Sequence, residues 1–524
     1  MASLFSVVCF GVIVFVHGCA ADGSSLGYKL PYDDFNRTSF PPDFVFGTAS
    51  GAYQVEGAWN NTYGRGPSIW DVYTHNHPER ITDHKNGDVA IDQYHRYKED
   101  VKIMKEMNLD AYRFSISWSR LLPNGKLSGG LNPKGVQYYK NLINELLAND
   151  IEPYVTIFHW DLPQSLQNKY NGFLDGSVVH DLRVFAEVCF EYFGDRVKHW
   201  ITLNEPYIFT ILGYARGSFP PGRCSPWQKL NCLGGNSATE PYTVAHNLLL
   251  AHGAVVKLYK EKYQAKQKGV IGVTHVTPWF VPYSTEKRDH FAAQRALDFT
   301  LGWFMEPITY GDYPHTMRVL VGDRLPKFTK KESELLKGSF DFLGLNYYTA
   351  NYARDAPQNP HIFKFLSVLT DAQVDTSTSR NGVPIGPPTG TSAFYVYPEG
   401  IYELLVYIKK KYKNPVIYIT ENGISEKNKD DKDPSPQLND IQRIDFYHDH
   451  LANVLKAIKD GVRLKGYFAW TLLDNFEWAS GYTVRFGINY VDYKDNLKRY
   501  QKLSFYWFRK FLQKKNKHIS RSDI

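Results

Sequence analysis

Short apolar runs alternate with longer amphipathic segments along most of the chain. Eight of the runs are rich in β-branched and aromatic residues, which predicts strands, and the segments between them repeat apolar residues at helical spacing. The candidate strands are Phe44–Thr48, Ala111–Trp118, Tyr154–His159, Trp200–Asn204, Ile271–Val276, Phe342–Tyr348, Val416–Glu421 and Leu464–Trp470. This alternation predicts an α/β fold, a single (β/α)8 TIM barrel. A doubly wound sheet is the alternative, but no Gly-x-Gly-x-x-Gly turn follows the first strand.

Two long segments interrupt the alternation. Residues 216–240 are rich in Gly, Pro and Asn, and residues 351–391 are rich in Pro, Gly, Thr, Ser and Asn. Loops of this length inside a compact domain usually form lids or walls of a functional site. In a barrel we expect such insertions at the carboxyl-terminal face of the strands, over the active site.

The N-terminus carries an almost unbroken apolar run, from Leu4 to Val16, followed by small residues. The run is too short to span a bilayer comfortably, and the small residues suit signal peptidase. We therefore predict a cleaved signal peptide at 1–21 and one domain at 22–524, since no linker or charge block marks a boundary beyond residue 40. A buried N-terminal helix is the alternative, because the basic residues usual before such a run are missing.

The composition excludes several classes of protein. Hydrophobic residues make up 43% and aromatic residues 15% of the 524 positions, which is enough apolar mass to exclude disorder over most of the chain. A mean hydropathy of −0.40 excludes a polytopic membrane protein. The net charge of +7 is mild for this length and dispersed, so we expect neither nucleic acid nor a membrane as a partner.

The cysteines and sequons agree with a secretory route. Cys224 and Cys232 bracket a short loop, and in an oxidising compartment a disulfide is favoured there over metal ligation. Cys189 lies on an apolar helical face, which indicates a buried free thiol. Asn36 and Asn60 begin Asn-x-Thr sequons and are candidate glycosylation sites. The final location would be the cell exterior, the cell wall or the vacuole.

Two glutamates stand where an apolar strand meets a loop. Glu205 follows the fourth candidate strand, and Glu421 ends the seventh. Chemistry in TIM barrels occurs at that rim, and barrel closure can bring the two carboxylates together. A carboxylate pair there suits glycoside hydrolysis, with one group acting on the leaving oxygen and the other on the anomeric carbon. The alternative is that each glutamate only caps the next helix.

The motifs around these glutamates resemble those of glycoside hydrolase family one. The matching stretches, in one order along the chain, are Phe44 through Gly57, Tyr112 through Trp118, Phe158-His159-Trp160-Asp161-Leu162-Pro163, Thr202-Leu203-Asn204-Glu205-Pro206, Leu345-Asn346-Tyr347-Tyr348, Ile419-Thr420-Glu421-Asn422-Gly423 and Trp470 through Trp478. With its signal peptide and cysteine loop, the chain is similar to the plant β-glucosidases of that family. The resemblance implies a (β/α)8 barrel that hydrolyses β-glycosides with retention and without a cofactor.

The same resemblance assigns roles to individual residues. It makes Glu205 the general acid/base and Glu421 the nucleophile, with Arg113 and Asn346 supporting the nucleophile. An inward Arg in an apolar strand is costly unless it meets a carboxylate, although an outward Arg paired with a helix is the alternative. The residues it assigns to the sugar site are Gln54, His159, Asn204, Tyr348, Trp470, Glu477, Trp478 and Phe486. A carboxylate at Glu477 would repel a 6-phosphorylated sugar.

The sequence departs from the plant pattern at one position. Plant relatives usually carry a Trp that lines the aglycone site five residues before the Pro of Tyr397-Pro398-Glu399-Gly400, where this chain has Ala393 followed by Phe394. Either the wall is opened for a bulkier aglycone or Phe394 replaces the missing ring. We expect an altered and roomier aglycone pocket.

The leading hypothesis is hydrolysis of the β-D-glucoside of a small, largely apolar plant metabolite. Transfer of glucose to an acceptor alcohol through the same covalent intermediate is the alternative within enzymes. A catalytically silent carbohydrate-binding barrel is the alternative outside them, but such relatives lose one or both carboxylates. A non-glycosidic substrate for the same carboxylates is a third possibility.

Overall fold

The computed structural model describes residue 32 and residues 35–356, 365–429 and 433–514. Within these ranges eight parallel strands close into a barrel in which each strand pairs with its neighbours in sequence and the last pairs with the first. We number them β1 (Val45–Ala49), β2 (Ala111–Ser115), β3 (Glu152–Phe158), β4 (His199–Asn204), β5 (Val270–Val276), β6 (Phe342–Asn346), β7 (Ile417–Asn422) and β8 (Leu464–Ala469). The predicted TIM barrel is therefore confirmed, while the proposed signal peptide lies outside the described residues.

The barrel strands are buried almost throughout, because helices cover the outside and side chains fill the interior. The amino-terminal end is closed by a cluster of rings in which Tyr154 stacks on His199 with 4.0 Å between centroids. Phe342, Tyr418 and Phe468 complete the cluster. The cavity that the strand-end glutamates line therefore opens at the carboxyl-terminal end of the strands.

Helices surround the barrel, and further helices lie in the segments inserted between its strands. The α-helices are Ala52–Val55, Ile69–Asn76, Gln93–Glu106, Trp118–Leu121, Pro133–Ala148, Gln164–Tyr170, Ser177–Phe193, Pro206–Tyr214, Glu240–Leu258, Gln264–Gln267, Lys287–Leu297, Trp303–Tyr310, His315–Val321, Lys330–Leu336, Val368–Asp371, Glu399–Lys411, Ser435–Leu438, Ile441–Lys459 and Leu503–Phe511. Tyr259–Tyr263 and Asp298–Gly302 are π-helical turns. Within the described ranges, no helix combines the length and the hydropathy that a membrane span requires.

Two strands end two or three residues earlier than the sequence predicts. The second strand stops at Ser115, because Ser117 starts the short helix Trp118–Leu121 and its N–H donates to the Tyr139 hydroxyl at 2.7 Å. The sixth strand stops at Asn346, so Tyr348 lies beyond it.

The described parts of the segment 351–391, residues 351–356 and 365–391, contain regular secondary structure. Strands Trp279–Pro282, Ala350–Asp355 and Val374–Ser377 form a small sheet, and Ser379–Arg380 pairs with Val383–Pro384. The first strand of the small sheet comes from a segment about seventy residues earlier in the chain, and such non-local pairing leaves no local signal in composition. The remaining short strands are Glu426–Lys427, Val484–Arg485, Asn489–Asp492 and Lys498–Gln501.

The cysteine loop contains the expected disulfide, Cys224–Cys232, and Cys189 is a buried free thiol. Asn60 is exposed and Asn36 is half-buried, so both sequons lie at the surface. Their glycosylation stays a prediction.

Candidate active site

The two strand-end glutamates reach the barrel mouth through irregular backbone. Glu205 has a φ of 43°, in the left-handed region that non-glycine residues seldom adopt, and is the N-cap of helix Pro206–Tyr214. Its N–H donates to the Thr274 carbonyl at 2.9 Å, which ties it to β5. Glu421 lies in β7, where the pairing register shifts between Ile419 and Glu421. Such a bulge redirects a side chain, here at the strand end.

Glu421 is held by two strong donors. Arg113 Nη1 donates to Glu421 Oε1 at 2.5 Å, and the Tyr348 hydroxyl donates to Oε2 at 2.6 Å. Arg113 is fully buried, and its other terminal nitrogen donates to Asn204 Oδ1 at 2.6 Å. The inward orientation of Arg113 is thus observed, and each oxygen of Glu421 accepts a hydrogen bond.

The carboxyl group of Glu205 has a weaker hydrogen-bond donor than the carboxyl group of Glu421. Asn346 Nδ2 donates to Glu205 Oε1 at 2.6 Å, and its Oδ1 accepts from the Thr420 hydroxyl at 2.7 Å. Asn204 Oδ1 accepts from Arg113 Nη2 at 2.6 Å and from Asn346 Nδ2 at 3.4 Å, while Asn204 Nδ2 contacts His159 Nε2 at 3.0 Å. One hydrogen-bond network therefore joins both glutamates.

Burial and charge separate the protonation states in this network. Burial, reinforced by the nearby charge of Glu421, raises the pKa of Glu205 to about 8. Burial also raises the pKa of Glu477 to about 8 and lowers that of His159 well below its usual range, with the charge of Arg113 adding to the latter effect. Glu205 therefore carries a proton at neutral pH in the unliganded protein.

The carboxyl groups of Glu205 and Glu421 line a cavity of about 570 Å³. The side chains at its inner end are polar and aromatic: His159, Trp160, Asn204, Glu205, Tyr348, Glu421, Trp470, Glu477, Trp478 and Phe486. Gln54 Nε2 lies 3.4 Å from Glu477 Oε2 just behind this group. Gln54 Oε1, His159 Nδ1 and Glu477 Oε1 are buried without a hydrogen-bond partner in the described structure, so they are available to a polar ligand.

Comparison with known proteins identifies the family. The model of the glycosyl hydrolase family 1 matches residues 36–517.

The chain belongs to glycosyl hydrolase family 1.

Several relatives of this family 1 enzyme are plant glycosidases. β-Glucosidase 12 of Oryza sativa subsp. indica is 58% identical over 479 residues, covering 91% of this chain and 93% of that protein. Furcatin hydrolase of Viburnum furcatum is 58% identical and covers 92% of this chain and 88% of its own length. A mutant rice β-glucosidase solved in a covalent complex with Glc superposes with a TM-score of 0.90 at 49% identity, covering 92% of this chain and 100% of that one.

The family 1 assignment makes this chain a glycosidase, and the barrel brings the predicted site residues together. Nine of them line the cavity, whereas Gln54, Arg113 and Asn346 lie one layer behind and contact Glu477, Glu421 and Glu205. No group of three or more His, Cys, Asp or Glu suited to a metal ion occurs in the described part of the chain.

Sequence reasoning missed the outer part of the cavity. The cavity residues that it did not single out include Tyr207, Arg216, Phe219, Thr277, Phe280, Phe299, Thr300, Val368 and Val374. The π-helical turn that presents Phe299 and Thr300 has no distinct sequence pattern, although π-turns occur frequently at functional sites. The position of Arg216 in the glycine-rich segment 216–240 was the one available signal.

Proposed function

We propose that this family 1 enzyme hydrolyses the β-D-glucoside of a small plant metabolite by double displacement, with Glu421 as nucleophile and Glu205 as acid/base. The observation that carries the proposal is the contrast between the two carboxyl groups. Glu421 has a guanidinium and a phenol on its oxygens, while Glu205 has one amide donor and a pKa raised to about 8. Two carboxyl groups in such different environments can serve as nucleophile and acid at one pH.

In the first step Glu421 attacks the anomeric carbon while Glu205 gives its proton to the glycosidic oxygen. The bond from the anomeric carbon to that oxygen breaks, the aglycone leaves as an alcohol or phenol, and a glucosyl ester forms on Glu421. Tyr348 and Arg113 hold the carboxylate, so little reorganisation precedes the attack.

In the second step a water molecule attacks the same carbon and Glu205 accepts its proton. The charge of Glu421 helps to raise the pKa of Glu205 in the unliganded protein. Ester formation removes that charge, so the pKa of Glu205 falls and its carboxylate becomes available as a base. Glucose with its original β configuration is released, and Glu421 returns to its charged form.

The polar atoms without partners support a sugar at the inner end. Gln54 Oε1, His159 Nδ1 and Glu477 Oε1 can bond hydroxyl groups, which satisfy buried polar atoms. The indole of Trp470 lies in the same wall and offers a flat apolar face for the sugar ring. Among the relatives, names that refer to furcatin and to a furostanol glycoside belong to proteins 58% and 56% identical to this chain, which supports a plant glycoside as substrate.

The test uses aryl β-D-glucosides with Glu421→Gln and Glu205→Gln. We expect Glu421→Gln to reduce kcat by at least about 10⁴-fold, because the attacking oxygen is lost. Glu205→Gln should slow substrates with poor leaving groups far more than activated ones, because a good leaving group needs no proton. Proton NMR of the wild-type reaction should show β-glucose as the first product. Initial release of α-glucose, or an unaltered rate in Glu421→Gln, would refute the proposal.

A further inference from the structure

The outer part of the cavity differs in character from the sugar end. Its wall is formed mainly by apolar side chains: Val276, Phe280, Ala296, Phe299, Val368 and Leu369. Among the residues that line the cavity, only Arg216 carries a formal positive charge, and the three carboxyl groups, Glu205, Glu421 and Glu477, all lie at the other end. One cation in an apolar wall is a distinctive recognition element.

The side chain of Arg216 forms no ion pair with the described residues that would stabilise the fold. Its side chain is exposed at the cavity wall, and its guanidinium has no ion pair or hydrogen bond with any residue in the described ranges. By comparison, Arg223 in the same loop makes two hydrogen bonds to Glu240, at 2.7 and 2.8 Å. The five N–H donors of Arg216 are therefore available to a ligand.

The backbone around Arg216 is fixed on both sides. The Ala215 carbonyl accepts from Gln228 Nε2 at 2.7 Å and from the Ser237 hydroxyl at 2.9 Å. The Gly217 carbonyl accepts from the Tyr73 hydroxyl at 3.1 Å. A fixed backbone reduces the entropy that the side chain loses when it binds a ligand.

A second polar group, the phenol of Tyr207, lines the same cavity as Arg216. Burial raises the pKa of Tyr207 to about 12, and the positive charge of Arg216 opposes that effect. Tyr207 follows Glu205 by two positions, at the start of the helix that ends just before Arg216. The phenol and guanidinium together can accommodate a planar anion.

We propose that Arg216 binds a carboxylate carried by the aglycone, so that the preferred substrates are β-glucosides of apolar molecules bearing an acidic group. This inference rests on the proposed function. The glutamates at the sugar end do not repel a carboxylate bound at Arg216. Arg113 offsets the charge of Glu421, and burial keeps Glu205 and Glu477 protonated at neutral pH. An exposed Arg at this position would otherwise lower the affinity for a purely apolar aglycone through its hydration.

The experiment compares pairs of aryl β-D-glucosides that differ only in a carboxylate or its neutral carboxamide. The pairs place this group directly on the ring, on a two-carbon arm and on a four-carbon arm, so that one of them spans the cavity. Each pair is assayed with wild type, Arg216→Gln, Arg216→Lys and Lys229→Gln. Lys229 is the matched control, since it is exposed in the same loop but does not line the cavity.

We expect Arg216→Gln to lower kcat/KM for the best carboxylate substrate about fivefold, mainly through KM, since an exposed ion pair contributes up to about 1 kcal/mol. The carboxamide rate should stay within about twofold, Arg216→Lys should retain part of the preference, and Lys229→Gln should leave both rates unchanged. The wild-type preference should also fall as salt is added.

An unchanged carboxylate-to-carboxamide ratio in Arg216→Gln for all three pairs would overturn the inference. So would an equal loss on both members of each pair, which would indicate a structural role. Failure of the proposed function looks different, because wild type would then cleave neither member of any pair.

Discussion

At the scale of single residues, two glutamates acquire different properties from their neighbours. Glu421 contacts a buried guanidinium and a phenol, whereas among the described residues the Glu205 carboxyl group accepts one side-chain hydrogen bond, from the Asn346 amide. Asn204 connects the two sites and keeps Arg113 in place. Environment rather than residue type therefore separates the proposed nucleophile from the proposed acid.

The pKa of Glu205 predicts the alkaline limb of activity. Glu205 is protonated below about pH 8 and ionises above it, so kcat/KM should fall as the pH rises through about 8. The hydrogen bond from Asn346 favours the ionised form and lowers this pKa. Asn346→Ala should therefore move the alkaline limb to higher pH. The exposed Asn141→Ala serves as control, and a limb that stays in place or moves to lower pH in Asn346→Ala would contradict the assignment.

At the scale of elements, the segment that follows β8 is anchored by buried charges. Asp474 accepts from Arg485 Nη1 at 2.6 Å and from Lys502 Nζ at 3.1 Å, and all three side chains are buried. Asp474 is three positions from Glu477, so this network fixes the part of the wall that carries Glu477 and Trp478. Secondary structure contributes little there, since the segment is mostly irregular.

Asp474→Asn should therefore destabilise the protein. The change leaves two buried cations without their carboxylate, and breaking a buried pair costs about 3–5 kcal/mol. Thermal unfolding followed by circular dichroism should show a lower midpoint, and KM for an aryl glucoside should rise. Asp375→Asn, at an exposed strand position, is the control and should have no effect on either measurement. Equal midpoints for the two variants would show that the network does not stabilise the fold.

We expect the wall that carries Ala393 and Phe394 to limit the width of the proposed aglycone region. Both residues line the cavity, and the ring of Phe394 stacks on Tyr348 with 5.4 Å between centroids. Phe394 thus adds a ring beside the nucleophile, while position 393 presents only a methyl group.

We expect Ala393→Trp to narrow the cavity. The variant should lower kcat/KM for bulky aryl β-glucosides about tenfold or more and leave small ones within about twofold, because overpacking costs about 1–3 kcal/mol. Ala393→Ser is the size-matched control. If Ala393→Trp cleaved bulky substrates as fast as wild type, position 393 would not limit the size of the aglycone.

At the scale of the whole molecule, the barrel was predictable because each of its strands is a local apolar run, and the strand ends differ by a few residues at most. Glu205 and Glu421 were predictable because both end such runs. The small sheet around Ala350–Asp355 was not, because its pairing is non-local. Arg216 and Tyr207 were also missed, since only the folded chain shows that they face the same cavity as the glutamates.

The predicted route of the protein is testable in plant cells. We expect the full-length chain to enter the secretory pathway and to lose residues 1–21, so that the mature protein begins near Asp22. Treatment with a peptide N-glycosidase should reduce its mass in two steps, and Asn36→Gln and Asn60→Gln should each abolish one of them. A mature protein that retains Met1, or one whose mass the enzyme leaves unchanged, would contradict the secretory assignment.

The central claim is that a glucosyl ester forms on Glu421, and trapping tests it most directly. In an activated 2-deoxy-2-fluoro-β-D-glucoside, fluorine slows both steps because it destabilises their oxocarbenium-like transition states. The activated leaving group speeds ester formation alone, so the ester forms faster than water can remove it. Mass spectrometry of the digested protein should find one fluoroglucosyl group, on the peptide that contains Glu421, and Glu421→Gln should remain unlabelled. Label on another residue, or inactivation without any covalent label, would contradict the mechanism.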